Sequence, residues 1–175
     1  MFLNFACPQA WLVFQQLPEA FQQMSYHIEY KPVQAHSLGA SSGSTPSLPP
    51  PESTELLLLA LQTSQDGSIN RYVADTVFQH VWGSGEKRPH LQQLPSLRQK
   101  LSIALTEDTQ AHARAVELLA KNQILLQQQS IVSTPALWIG TQTFEGTHCL
   151  PMLRAYLLAA SSKNATPQSC SRRSQ

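Results

Sequence analysis

The sequence predicts one α/β domain in which a mixed central sheet is interrupted by a block of helices. Three features predict it. A short apolar run, Phe2 to Phe5, leads through Cys7-Pro8 directly into helical spacing at Trp11, Leu12, Phe14 and Leu17. A strand pattern at Tyr26 to Val33 follows that helix, and two strands joined through a helix form a right-handed parallel crossover. Near the other end, Ala136 to Ile139 and Thr143 to Glu145 flank a tight turn at Gly140-Thr141-Gln142, which permits only an antiparallel pair. At 175 residues and 42% hydrophobic, the chain holds one full core and is short for two.

Each element has its own signal. Pro8 suits the first turn of a helix, where its missing N–H costs nothing, whereas Pro18 is expected to kink or restart that helix. Tyr26, Ile28 and Tyr30 alternate with His27, Glu29 and Lys31, and aromatic and β-branched content supports the strand. His36 to Glu52 is dominated by Ser, Gly and Pro and reads as a loop within the domain. From Ser53 to Gln129 the pattern is helical: Thr54 to Thr63, Ile69 to Trp82, Leu94 to Ala104, and Glu107 to Gln128, with Glu107-Asp108 complementing the last helix's dipole. A final helix is expected over Leu150 to Ala160, and the polar residues Ser161 to Gln175 as a disordered tail.

Composition removes several functions. A formal net charge of +1 and 13% charged residues leave no broad electrostatic footprint for nucleic acid or an anionic membrane. The longest apolar runs, Leu56 to Leu61 and Ala155 to Ala160, fall far short of the roughly 18 to 20 residues of a membrane span. Met1 to Phe5 has no basic segment of a secretory signal. Three cysteines at Cys7, Cys149 and Cys170 do not make a disulfide scaffold, and the six histidines show no ligand spacing, so no metal site is expected. His80, His90 and His112 read as surface or partly buried residues of the helical block.

One residue carries candidate chemistry. Strand, Cys7, Pro8 and helix together place the thiol at the positive end of a helix, where about half an elementary charge favours thiolate over thiol. An equally open reading makes Cys7 a small buried hydrophobe at a strand end.

Phe5-Ala6-Cys7-Pro8-Gln9-Ala10-Trp11 resembles the F-x-C-P-x-C-[YW] signature of the DsbA-family thiol–disulfide oxidoreductases. Ser133-Thr134-Pro135-Ala136-Leu137-Trp138-Ile139-Gly140 is similar to their [VT]-P-[AT]-x-[FWY]-[VI]-x-G segment, with the glycine one place early. The resemblance spans roughly Phe2 to Leu158 and implies a thioredoxin-like fold: residues 1–35 and 130–160 form the thioredoxin-like domain, 53–129 a helical insertion capping Cys7, 36–52 the loop and 161–175 the tail. It also implies a strand ahead of Phe2 that this chain does not supply, leaving an open sheet edge. Thr134-Pro135 would be a cis peptide whose exposed backbone groups pair with substrate, although only about 5 to 6% of X-Pro bonds are cis. Cys7 would be the catalytic nucleophile, Thr134 and Pro135 the substrate platform, and Trp11 or Trp138 packing residues or a wall of the groove.

The departure from the pattern is chemical. A dithiol enzyme attacks with its first cysteine and releases the mixed disulfide with the second, and Ala10 cannot act as that second thiol. Cys7 is then a monothiol resolved by glutathione or another small thiol, or is resolved by Cys149, or is retired in favour of binding. The leading expectation is a monothiol protein of DsbA type acting on cysteine-containing proteins, peptides or small thiols, without a resident cofactor. The alternatives are a non-catalytic peptide-binding or chaperone-like module, and a glutathione-using enzyme like the kappa-class transferases and chromene-carboxylate isomerases, which share the fold and use a serine at the helix start. The resemblance implies a periplasmic setting, with the cytoplasm as the alternative.

Overall fold

The first strand is short because Asn4 turns the chain out of it. Asn4 is buried, its side-chain oxygen accepts from the Ala6 N–H at 2.7 Å, and its carbonyl accepts from the Cys7 N–H at 3.1 Å. Strand β1 is therefore Phe2–Leu3, and helix α1, Pro8–Ala20, starts immediately beyond the turn. The structure is a computed structural model that describes residues 1–22, 24–34, 51–83, 94–103 and 108–164, apart from the side chains of 51–52 and 161–164. Most of the predicted loop 36–52, His90, the helix bounds Ala104 and Glu107, and Cys170 lie outside them.

The remaining elements are β2 (Lys31–Pro32), α2 (Pro51–Gln62), α3 (Arg71–Trp82), α4 (Leu94–Lys100), α5 (Thr109–Gln128), β3 (Ala136–Ile139), β4 (Gln142–Glu145), a 3₁₀ turn at Gly146–His148 and α6 (Cys149–Asn164). The sheet has the order β2-β1-β3-β4. Strand β1 runs parallel to β2, pairing Phe2 with Lys31, and antiparallel to β3, pairing Phe2 with Ala136. Strands β3 and β4 form an antiparallel hairpin from Ala136 opposite Glu145 to Ile139 opposite Gln142. Gly140, at φ +57, begins its turn in the left-handed region that glycine adopts without strain.

Several expected boundaries move. The predicted strand Tyr26 to Val33 shrinks to Lys31–Pro32, which pairs with Phe2–Leu3: the Lys31 N–H donates to the Met1 carbonyl and the Val33 N–H to the Leu3 carbonyl. Tyr30 pairs instead with Ile69 in an isolated bridge, and the Tyr26 ring packs tilted against Phe21 with centroids 4.8 Å apart. Strand β1 is central, flanked by β2 and β3, and among the described strands β2 and β4 form the two edges of the sheet. Pro18 neither ends nor restarts α1; it sits two residues before the helix end. Helix α4 stops at Lys100, followed by Ser102 at φ +57. Helix α6 continues to Asn164, so residues 161–164 of the expected tail are helical.

Packing follows the strand faces. Leu3, Leu137 and Phe144 enter the larger core with Val13, Phe14 and Leu17 of α1, Val77 and Phe78 of α3, and Leu150 and Leu153 of α6. Phe2, Val33 and Ala136 face the other way and pack against Leu126 of α5 and Ile131. Helix α2 buries all of Leu56 to Leu61, as expected of a helix enclosed by neighbours. Asn122 of α5, also buried, donates from Nδ2 to the carbonyls of Pro32 (3.1 Å) and Gly67 (2.8 Å), tying α5 to β2 and to the turn ahead of α3. Gly67 has φ +90, and an added Cβ would meet Asn122 Oδ1 at 2.8 Å.

Candidate functional site

The start of α1 is built from backbone geometry. Cys7 is the N-cap residue, with extended φ −97 and ψ 112 and no capping bond from its side chain, and Pro8 follows in the first turn. The Asn4 turn fixes the approach from β1, and Trp82 Nε1 of α3 donates to the Phe5 carbonyl at 3.0 Å, fastening the same turn from the helical side. Asn4 and Trp82 carry no motif, so sequence reasoning missed both.

This arrangement leaves the Cys7 thiol half-buried between two oxygen acceptors, Gln9 Oε1 at 3.1 Å and the Thr134 carbonyl at 3.7 Å. The residues are 127 positions apart in sequence. The Thr134-Pro135 peptide is cis, Pro135 is buried, and its carbonyl accepts from the Gly146 N–H at 2.8 Å. Cys7 and the Thr134-Pro135 segment therefore meet as two sides of one site.

Other candidate residues divide. Ala10, three positions along α1, is fully buried in the core. Trp11 is half-buried one turn beyond Cys7, its ring 6.2 Å from Phe14 and 5.3 Å from Phe78, so it packs α1 against α3. Trp138 is not brought to Cys7: three residues past Pro135, about 10 Å of strand, it stacks on Phe2 at 6.5 Å. There it lines a cavity of about 520 Å3 at the Met1 end of the sheet, with Phe21, Tyr26 and Lys31. Cys149 opens α6 wholly buried, and burial pushes its thiol up to about 11. Both described cysteines are free.

A further residue holds the site together. Glu145, the last residue of β4, accepts on one carboxylate oxygen from the Val132 N–H (3.0 Å), the Ser133 N–H (2.8 Å) and the Ser133 hydroxyl (3.1 Å). It thereby anchors the residues that enter the cis peptide. Among the described residues no group of three or more His, Cys, Asp or Glu side chains converges as a metal site, and no helix is long and apolar enough to cross a membrane. His80 of α3 is shifted down by burial and by the Lys100 charge, and His112 is exposed on α5.

Sheet order, the helices between β2 and β3, and the position of the cis proline define a thioredoxin-like fold of the DsbA type. The chain is similar in structure to a solved 2-hydroxychromene-2-carboxylate isomerase, with a TM-score of 0.67, 94% of this chain and 96% of that one covered, and 18% sequence identity. No protein-family model matches the sequence, and no curated protein matches it.

Proposed function

We propose that the protein carries out thiol–disulfide chemistry one thiol at a time, with Cys7 as nucleophile and a small thiol such as glutathione as resolver. The observation that supports this reading most is the pairing of the Cys7 sulfur, at a helix start, with the Thr134 carbonyl at 3.7 Å, while the resolving position holds a buried Ala10. The Cys7 thiolate attacks the glutathione sulfur of a glutathionylated protein or peptide thiol, the Sγ–S bond forms as the substrate's S–S bond breaks, and the substrate leaves as thiolate. A second glutathione thiolate then attacks the bound glutathione sulfur, restoring Cys7 and releasing glutathione disulfide. Cys149 is a poor resolver, because it is buried and holds its proton to about 11.

A glutathione-using isomerase or transferase is the second reading, and the likeness to the chromene-carboxylate isomerase favours it equally. Both readings need one bound thiol and no second cysteine. Incubation with glutathione disulfide followed by mass spectrometry separates the monothiol reading from the others. One glutathionyl adduct mapped to the Cys7 peptide, absent in Cys7→Ser, is the expected result; an unmodified Cys7 overturns it. Conversion of 2-hydroxychromene-2-carboxylate in the presence of glutathione would instead carry the isomerase reading.

A further inference from the structure

We infer that Glu145 is a positioning residue of the Cys7 site, acting through the segment Val132 to Pro135. The inference rests on the proposed thiol–disulfide function. A single carboxylate oxygen taking three donors from two adjacent residues fixes both the direction and the height of the chain just before Thr134. Bonds to an ionised acceptor are the stronger kind. One residue further on, the Thr134 carbonyl faces the Cys7 sulfur, and beyond it the Pro135 carbonyl is held by the Gly146 N–H. Position 145 pairs with Ala136 across the hairpin, so the rigid β3–β4 ladder sets where the carboxylate stands. The acceptor beside the nucleophile is thus located from β4, an element that itself touches no reacting atom. Without Glu145, Val132 and Ser133 are exposed residues whose two N–H groups turn to water, and the Thr134 carbonyl loses its fixed distance to Cys7.

The test compares Glu145→Ala and Glu145→Gln with the wild-type chain in two arms. In the first, the saturating rate of mixed-disulfide formation with glutathione disulfide is measured beside the rate of Cys7 alkylation by iodoacetamide. Glu145→Ala is expected to slow the disulfide reaction about tenfold while alkylation, which needs no platform, stays within about twofold. Glu145→Gln, whose side-chain oxygen accepts the same bonds, should recover most of the rate. The second arm follows amide hydrogen exchange at Val132 and Ser133, expected to quicken in Glu145→Ala and to stay near wild type in Glu145→Gln. Opened amides with an undiminished disulfide rate reduce Glu145 to a structural clamp and overturn the inference, as does exchange unchanged in Glu145→Ala. A wild-type chain inert to glutathione disulfide sinks the proposed function separately; the exchange arm then decides alone whether Glu145 holds the segment.

Discussion

Cys7 and Cys149 both sit at the start of a helix, yet their surroundings differ in kind. Cys7 caps α1 half-exposed, its sulfur against the Gln9 side-chain oxygen and the Thr134 carbonyl. Cys149 begins α6 behind the 3₁₀ turn, sealed with Leu150 and Leu153 in the core, and burial raises its thiol from 9.0 to about 11. A helix start is therefore not enough to make a reactive thiol. Desolvation outweighs the helix dipole at Cys149 and leaves Cys7 as the more accessible thiol of the described pair.

The largest expected effect comes from supplying what α1 lacks. Ala10→Cys places a thiol one helical turn from Cys7, and turnover in a dithiol-driven insulin reduction assay should rise from background to measurable. A variant that stays at background would mean that this end of α1 no longer supports redox chemistry. Cys149→Ala, by contrast, should leave glutathione adduct formation at Cys7 close to wild type; its loss would show that the two cysteines cooperate.

An alkaline stability difference sharpens the same contrast. Cys149 is neutral when protonated, and the folded state holds its proton up to about 11 whereas the unfolded chain releases it near 9.0. Across that window the unfolded state binds fewer protons, so stability falls as pH rises, and the full contribution is present only below about 9. Urea denaturation of wild type minus Cys149→Ala should therefore lose about 2 kcal/mol between pH 9 and 11. A difference that is flat with pH would deny the burial argument. A smaller effect is expected at the turn before Cys7: Asn4→Ala removes the acceptor for the Ala6 N–H and should cost about 1 to 2 kcal/mol of stability by chemical denaturation.

The sequence made the two sides of the site legible for different reasons. Phe2 to Pro8 reads correctly because Pro8 and the apolar period announce strand, turn and helix locally, and the β3–β4 hairpin is announced by Gly140. Alternation at Tyr26 to Val33 overstated β2, since alternation says nothing about how much of a strand finds a partner, and here only Lys31 and Pro32 pair with Phe2 and Leu3. Trp138 shows the limit of a motif: adjacency to Pro135 in sequence becomes distance along an extended strand, and the ring ends at the far cavity. Asn4 and Glu145 were invisible for a common reason. Both act by side-chain bonds to backbone N–H groups, which leave no residue-type signature at the partner position.

The contrast between the two thiols is tested most directly by alkylating the native chain with iodoacetamide at neutral pH, quenching, and mapping the modified peptides. Burial as the deciding factor predicts that Cys7 is modified at least about a hundredfold faster than Cys149, which should react only after unfolding, because a thiol held to about 11 is almost wholly protonated and shielded. Comparable modification of both cysteines in the folded chain would contradict it.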